Sequence, residues 1–236
     1  MIAPTKPAFL SIAIQHTPQY IDRRQQVQAM VRQLQREMPN VPVAVIKDTR
    51  REGCWPTYLR ALEAATDASH HLVLQDDSGL CRDFLRSVRE VIRSRPNDLI
   101  SLYTNSQAVF KARNRVEFWI EKSTVSGAAL IWPRKLIGEF IEWQRVHIAD
   151  NFPSDDGRVS MWINKTSRRA FATVPSLVQH LGYRFSILGL NGRLKTAAWY
   201  IGDYHSPAHI DWSRGLESPV KDRRPIDPEC WKYFKE

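Results

Sequence analysis

The stretch LVLQDD, residues 72–77, carries the clearest fold information in the sequence. Its three leading apolar residues are typical of a strand that is buried on both faces. The strand runs without a turn residue into Gln75, Asp76 and Asp77, so it ends in an amide and two carboxylates. A strand buried on both faces requires covering layers on both sides, so the flanking sequence is expected to supply helices.

Strands and helices alternate on both sides of this stretch. Val27, Met30 and Leu34 recur at helical spacing, whereas Val41 to Ile46 is rich in β-branched residues. The expected fold class is therefore α/β, with a mixed, mostly parallel sheet flanked by helices. Strands are predicted at 9–14, 41–46, 71–74, 98–103, 116–120 and 127–132, and helices at 22–37, 56–65, 84–92, 133–141 and from Ser154 onward.

The length and the pattern predict one domain. The 236 residues suit a single α/β domain over 1–202, with a first half at about 9–105 and a second half at about 116–190. Residues 203–236 carry four prolines and little apolar periodicity. Aromatic residues near the end of this tail predict that it docks on the body of the domain.

The composition excludes several classes of protein. Hydrophobic residues make up 43% of the chain, which rules out a disordered or fibrous protein. The longest apolar run, 128–132, is far shorter than the ~20 residues that span a bilayer, and the N-terminus lacks the apolar core of an export signal. We therefore expect a cytoplasmic protein without membrane contact. The formal net charge of +9 favours a polyanionic partner such as nucleic acid or nucleotides.

The two carboxylates at the end of the 72–77 strand are the first candidate site. Ligands of open α/β sheets lie beyond the carboxyl ends of the strands. Adjacent carboxylates there offer hard oxygen ligands for Mg²⁺ or Mn²⁺, which in turn hold a diphosphate. The alternative is a solvated acidic turn without a function.

Other polar residues are predicted to reach the same edge. Gln15 and His16 follow the first strand, Asp48 follows the second, and the loop with Gly53 and Trp55 comes next. Asp48 is a candidate to accept the N3–H of a uracil, and Gln15 a candidate to contact base or ribose. These five residues are the predicted nucleotide-binding set.

The sequence lacks the glycine-rich loops that cradle phosphates. It has 10 glycines and neither GxGxxG nor GxxxxGKS, which argues against a Rossmann dehydrogenase and against a P-loop NTPase. A nucleotidyltransferase shares the acidic strand end but needs a glycine-rich, basic loop after the first strand, and residues 15–18 (QHTP) are not one.

At this point the chain resembles the glycosyltransferases with the GT-A fold. The stretch QDDSGLCRDF at 75–84 is similar to their DXD-type motif, and GAALIWP at 127–133 to their acceptor-side strand. SDD at 154–156 resembles the acidic pair that opens the acceptor helix, and VPSLVQHLG at 174–182 a late motif of small members. The likeness covers about 9–190 and is greatest to small phage-encoded enzymes that modify hydroxymethylated bases of viral DNA.

The resemblance implies roles for individual residues. Asp77 would ligate the metal, and Asp76 would contact the ribose or the donor sugar. His180 would be the second metal ligand, with His205 and His209 as its rivals. The first half of the domain would bind the nucleotide and the second half the acceptor.

The resemblance also implies a general base. An inverting single displacement needs one carboxylate opposite the leaving group. Asp156, near the start of the helix capped by Ser154, is the first choice, and Asp155 is the alternative. Gln75 departs from the family pattern because many members have an acid at that position.

The implied activity is the transfer of a sugar from a nucleotide diphosphate donor to a hydroxyl, with Mn²⁺ or Mg²⁺. A UDP-sugar is the favoured donor, and 5-hydroxymethylcytosine in phage DNA, within the host cytoplasm, is the favoured acceptor. No obligate protein partner is expected. The alternatives are a protein or glycan acceptor, or a nucleic-acid-binding protein without catalysis.

Overall fold

A computed structural model describes residues 9–181, 196–202 and 205–235. Its strands are β1 (Leu10–His16), β2 (Val43–Lys47), β3 (His70–Gln75), β4 (Ser78–Leu80), β5 (Leu99–Ser101), β6 (Trp119–Lys122), β7 (Ala129–Pro133), β8 (Ala170–Thr173), β9 (Val178–His180) and β10 (Val220–Asp222). Its helices are α1 (Ile21–Glu37), α2 (Cys54–Glu63), α3 (Phe84–Ser94), α4 (Ala108–Asn114), α5 (Arg134–His147) and α6 (Asp155–Thr166), with short 3₁₀ helices at Pro207–His209 and Pro228–Tyr233.

Eight of these strands form one central sheet in the order β10-β6-β8-β5-β7-β3-β1-β2. The pairs β1–β2, β1–β3, β5–β8 and β6–β10 are parallel, and β3–β7, β5–β7 and β6–β8 are antiparallel. The sheet is thus mixed and mostly parallel, which confirms the fold class predicted from the sequence. β4 and β9 pair separately as an antiparallel ribbon.

The two faces of the sheet bury different helices. Leu72 and Leu74 point into the layer that holds α1 and α3, and Val73 points into the layer that holds α2, α5 and α6. This alternation is what a strand buried on both faces requires. The 72–74 run is completely buried. The residues that follow it are therefore held at a fixed position at the edge of the sheet.

The later part of the chain departs from the predicted boundaries. The strand predicted at 116–120 begins at Trp119, because Val116 takes a left-handed conformation (φ 55°) in the turn that ends α4. The helix α4 itself is not evident from the sequence, since only Val109 and Ala112 bury apolar surface along its seven residues.

The C-terminal segment is built into the domain. β10 extends the central sheet beside β6, and Trp212 is buried in the main core, where its carbonyl accepts a hydrogen bond from Trp119 Nε1. Tyr233 stacks on Phe152 with ring centroids 4.8 Å apart. Across the described residues, none of the helices has the length and apolar character needed to traverse a bilayer.

Candidate active site

Asp76 is buried at the carboxyl end of β3, and both of its carboxylate oxygens have partners. Oδ1 accepts a hydrogen bond from Arg23 Nη1. Oδ2 accepts one from the backbone N–H of Thr17 at 2.6 Å and lies 3.1 Å from His16 Nδ1. The sequence assigns Asp76 and His16 to the donor; in the structure they contact each other and fasten the loop after β1 to the end of β3.

Asp77 is also buried, but only one of its oxygens is engaged. Oδ2 accepts a hydrogen bond from Arg23 Nη2 at 3.0 Å and lies 3.4 Å from His180 Nε2. Oδ1 is buried and has no hydrogen-bond partner. Burial alone would raise the pKa of Asp77, but the hydrogen bond from His180 and the charges of His180 and Arg23 outweigh it, so the pKa is lowered. Asp77 is therefore an ionised carboxylate with one free oxygen.

His180 reaches Asp77 through the small β4–β9 ribbon. Ser78, next to Asp77, pairs with His180 in the antiparallel register of that ribbon. The structure thus brings together the two predicted metal ligands. His205 and His209 are exposed instead, and the 3₁₀ helix that holds His209 packs against α3. Gly182, the last residue of the late motif, lies outside the described residues.

Asp77 and His180 fit a divalent cation that is completed by its substrate. Mg²⁺ in phosphate-transfer sites typically takes one or two carboxylates and fills its remaining positions with phosphate oxygens and water. The unpartnered Oδ1 of Asp77, with the imidazole of His180 beside it, supplies such a partial ligand set. Within the described residues, no group of three or more His, Cys, Asp or Glu side chains is placed to hold a metal.

Asp155 is the first residue of α6 and belongs to the same site as Asp76 and Asp77. Ser154 caps this helix by accepting a hydrogen bond from Gly157 N at 3.0 Å, as the sequence predicts. Burial and the neighbouring charge of Asp156 raise the pKa of Asp155 to about 7. Hydrogen bonds from Asp156 N and from the amides of Gln15 and Gln75 act in the opposite direction without cancelling this effect.

Gly127 makes room for that carboxylate. A Cβ at this position would lie 3.3 Å from both carboxylate oxygens of Asp155 and 3.0 Å from Gln75 Nε2. A side chain here would require the Gln75 amide or the Asp155 carboxylate to shift by a few tenths of an ångström. The glycine therefore permits the contact between Gln75 Nε2 and Asp155 Oδ2, which is 3.5 Å long.

Asp156 differs from its neighbour in exposure and in partners. Its side chain is half-buried, and its Oδ1 accepts a hydrogen bond from Ser154 Oγ at 2.5 Å. Asp155 faces the residues at the ends of β1 and β3, whereas Asp156 is tied to the cap of its own helix. The geometry thus distinguishes two carboxylates that the sequence leaves side by side.

Asp48 organises the loop that contains Gly53. Its two carboxylate oxygens accept hydrogen bonds from the backbone N–H groups of Glu52 (2.8 Å) and Gly53 (3.0 Å). Gly53 has a φ of 102°, which a glycine adopts without strain, and it is the N-cap residue that precedes α2. Each carboxylate oxygen retains a second lone pair, so Asp48 can still accept a further hydrogen bond. Its contact with a uracil remains a prediction.

Trp55 lies in the core of the protein, and its predicted contact with the donor stays a prediction. Its ring is edge-on to Phe140 and 4.3 Å below the guanidinium of Arg158. Arg158 in turn donates hydrogen bonds to three backbone carbonyls of the loop before α6. The ring of Trp55 thus supports the start of α6 from within the core.

Gln15 and Cys54 lie next to Asp155 in the site. Gln15 Nε2 donates a hydrogen bond to the carbonyl of Cys54 at 3.2 Å, and its buried Oε1 has no partner. Burial and the charge of Asp155 raise the pKa of the Cys54 thiol to about 12. This thiol is therefore neutral, in line with the absence of a nucleophile pattern around it in the sequence.

Arg23 is the residue of this site that the sequence analysis misses. It occupies the buried stripe of α1 together with Val27, Met30 and Leu34. An arginine at an apolar position of an amphipathic helix is a signal in itself, because buried charges are kept only when they are paired. The signal indicates a buried anion nearby, although it does not say which carboxylate provides it.

Known structures with a similar fold are distant in sequence. A mannosyltransferase from Pyrobaculum calidifontis, in complex with GDP-Man and Mn²⁺, is 13% identical with a TM-score of 0.45 and covers 73% of this chain and 58% of its own. TarS 1–349 from S. aureus with UDP-GlcNAc is 10% identical with a TM-score of 0.46 and covers 75% and 61%. A Drosophila β-1,4-galactosyltransferase 7 with manganese, UDP-Gal and xylobiose is 11% identical with a TM-score of 0.41 and covers 74% and 71%.

The chain spans about three fifths of the length of the first two of these structures. No family model matches the sequence, and no curated protein matches it significantly. A functional proposal for this chain therefore rests on the residues of its own site.

Proposed function

We propose that this chain is a metal-dependent glycosyltransferase that moves a sugar from a nucleotide diphosphate donor, a UDP-sugar in the favoured case, to a hydroxyl acceptor with inversion. One observation carries the proposal. An ionised carboxylate with a free oxygen, Asp77, and a buried carboxyl group with a raised pKa, Asp155, lie at the same edge of the sheet and are linked through Gln75.

The two carboxylates suit opposite ends of a displacement reaction. Asp77 and His180 would hold Mn²⁺ or Mg²⁺, which supplies positive charge to the leaving diphosphate. Arg23, which already contacts Asp77, adds a fixed positive charge on the same side. This side of the site therefore favours the departure of an anionic leaving group.

Asp155 suits the acceptor side. The acceptor oxygen forms a bond to the anomeric carbon, the bond from that carbon to the phosphate oxygen breaks, and its electron pair leaves with the diphosphate. The hydroxyl proton passes to a carboxylate oxygen of Asp155. A base works best when its pKa lies near the working pH, and the pKa of about 7 at Asp155 meets that condition. Asp156, the first choice from the sequence, is the rival assignment.

The experiment that tests the activity is a donor screen. The purified chain is incubated with a panel of UDP- and GDP-sugars and Mn²⁺, and the release of nucleoside diphosphate is measured. Release that depends on one donor and is abolished by EDTA supports the proposal. Absence of release from every donor, with acceptors supplied, contradicts it.

We infer that the acceptor is anionic, and 5-hydroxymethylcytosine in phage DNA is the favoured case. A cavity of about 650 Å³ beside β10 supports this inference. Its lining includes four cationic side chains that form no ion pair with any described residue, against two glutamates. The cations are Lys111, Arg115, Arg169 and Lys221.

The position of the cavity suits a long acceptor. Five strand spacings of about 4.8 Å, or roughly 24 Å, separate β10 from β3 in the sheet. That is the length of about seven base pairs at a rise of 3.4 Å. A DNA duplex is long enough to span the separation between β3 and β10. The +9 net charge also favours an anionic acceptor such as DNA.

Mass analysis of modified DNA distinguishes this acceptor from its rivals. DNA with 5-hydroxymethylcytosine is incubated with the chain and the active donor, digested, and its nucleosides are weighed. Added hexose or N-acetylhexosamine on the base supports the DNA acceptor. Donor turnover without any mass on the base favours a protein or glycan acceptor, and DNA binding without donor turnover favours a nucleic-acid-binding protein.

A further inference from the structure

Arg23 closes one side of the acidic pair. Its guanidinium donates to Asp76 Oδ1 through Nη1 and to Asp77 Oδ2 through Nη2, the latter at 3.0 Å. Arg23 is only 7% exposed, so this contact is shielded from solvent. A guanidinium that bridges two carboxylates holds them in a fixed geometry, because its donors are rigid and planar.

This bridge leaves a single carboxylate oxygen free. Asp76 uses Oδ1 for Arg23 and Oδ2 for the loop after β1. Asp77 uses Oδ2 for Arg23 and His180 and keeps Oδ1 without a partner. A cation at the pair therefore meets one free oxygen and the imidazole, and it does so next to a fixed positive charge.

We propose that Arg23 is a positioning residue that makes cation binding depend on the donor. Without the donor, one carboxylate oxygen and one imidazole hold Mn²⁺ weakly, and the guanidinium repels it. The diphosphate adds oxygen ligands and negative charge, which offset the guanidinium and complete the coordination. This inference rests on the proposed nucleotide-sugar site and adds to it a mutual dependence of metal and donor.

The test measures Mn²⁺ binding directly, from the electron paramagnetic resonance signal of the free ion. The wild-type chain is titrated with Mn²⁺ alone, with UDP and with GDP. We expect weak binding alone and about tenfold or tighter binding with the diphosphate that fits, and linkage requires Mn²⁺ to tighten that diphosphate by the same factor. Arg23→Gln should bind Mn²⁺ alone about tenfold more tightly than the wild type, because the repelling charge is gone.

Two further variants keep the result interpretable. Arg23→Lys retains one charge but not the planar bridge, so its Mn²⁺ affinity should lie between the other two. Arg23→Lys also replaces Arg23→Gln as the test variant if Arg23→Gln fails to fold. It keeps a positive charge next to the two carboxylates, and Asp76 keeps its contacts with His16 and Thr17. Arg24→Gln is the matched control, since Arg24 is exposed on the same helix and its guanidinium donates to the carbonyl of Pro18 and not to the acidic pair. It should leave Mn²⁺ affinity unchanged.

The outcomes separate this inference from the proposed function. Equal Mn²⁺ affinity in the wild type and both Arg23 variants, with UDP or GDP still bound, overturns the role of Arg23 alone. Tight Mn²⁺ binding by the wild type without a diphosphate overturns it as well. Failure of both diphosphates to bind in the presence of Mn²⁺ removes the nucleotide-sugar site, and the inference falls with it.

Discussion

Gln75 Nε2 lies 3.5 Å from Asp155 Oδ2, and this contact joins the end of β3 to the start of α6. The DXD-type motif that residues 75–84 resemble often has an acid at the position of Gln75. An acid here would face the buried carboxyl group of Asp155 and raise its pKa beyond about 7. The amide is therefore a compatible neighbour for Asp155 in its proposed role of taking up the acceptor proton near neutral pH.

The replacement Gln75→Glu tests this relationship. It removes a donor from Asp155 and adds a like charge, so the acidic limb of the kcat–pH profile should move to higher pH and the rate at pH 7 should fall by about tenfold or more. Gln75→Leu is the control, because it removes the donor without adding charge and should give a smaller shift in the same direction. Identical pH profiles for Gln75→Glu and the wild type would contradict the prediction.

Asp155→Asn and Asp156→Asn distinguish the two candidate bases. Asparagine keeps the shape of the side chain but cannot accept the proton, so Asp155→Asn should lower kcat by about two to four orders of magnitude with donor affinity nearly unchanged. Asp156→Asn should have the smaller effect, since Asp156 is bonded to Ser154. Steady-state kinetics and donor titration measure both, and the reverse order would return the role to Asp156.

The same residue has a predicted cost in stability. The pKa of Asp155 rises from 3.8 to about 7 on folding, so the folded chain prefers the protonated carboxyl. Its contribution to the free energy of unfolding is fully present below about pH 4, declines as the pH rises towards about 7 and is lost above it, a change of up to about 4 kcal/mol.

Asp155→Asn should remove this pH dependence, because an amide does not titrate. Above pH 7 the variant should be more stable than the wild type, and near pH 4 the difference should shrink. Urea midpoints across this pH range measure the effect, with Asp156→Asn as the control. Stability curves for the wild type and Asp155→Asn that run parallel throughout this range are the result that the prediction forbids.

How far the sequence predicts this site depends on how local each signal is. The cap of α6 by Ser154 and the acidic end of β3 follow from neighbouring residues, and the structure has both. The bridge from Arg23 to Asp76 and Asp77 joins positions more than 50 residues apart, and only the packing of α1 on the sheet brings them together.

The same limit applies to the fold. The alternation from β1 to β5 is readable because each element has its own periodicity. The strand β10, with three residues, gains its identity from pairing with β6 about 100 residues earlier, and no local pattern indicates it. The difference in burial between Asp155 and Asp156 likewise depends on tertiary contacts, because Asp155 is buried against Gln15 and Gln75. The local sequence around the two residues does not indicate these contacts.

Asp77 is expected to be essential for activity through a charge that also supports the fold. A carboxylate at the end of a strand is outside the apolar core, but the structure buries Asp77 against Arg23 and His180. Asp77→Ala would leave a buried guanidinium with one partner fewer, at a cost of about 1–3 kcal/mol or more.

Asp77→Asn is therefore the better test, since it keeps the shape and one acceptor oxygen. Transfer should fall to background, with a thermal midpoint closer to that of the wild type than the midpoint of Asp77→Ala, and EDTA should abolish wild-type activity. Release of nucleoside diphosphate that continues in EDTA would remove the metal from the proposed mechanism. Full activity of Asp77→Asn would remove the Asp77 carboxylate from it.

The last prediction concerns the basic cavity beside β10. If its four cations contact DNA phosphates, then replacing Lys111, Arg115, Arg169 and Lys221 by glutamine should weaken DNA binding in low salt. The slope of log affinity against log salt should become shallower by about 0.9 for each phosphate that is no longer neutralised, or about two to four in total. Titration of a labelled duplex at several salt concentrations measures this slope.

The control carries the same reduction in charge elsewhere. Replacing Arg32, Arg36, Arg86 and Arg93 by glutamine removes four exposed cations from α1 and α3. If only net charge attracts DNA, affinity and slope fall equally in the two variants; if the cavity binds the DNA, they fall only in the first. Donor hydrolysis should be unchanged in both, because β10 lies roughly 24 Å from β3 across the sheet. Equal effects in the two variants would therefore leave the glycosyltransferase proposal standing and remove the cavity as its acceptor surface.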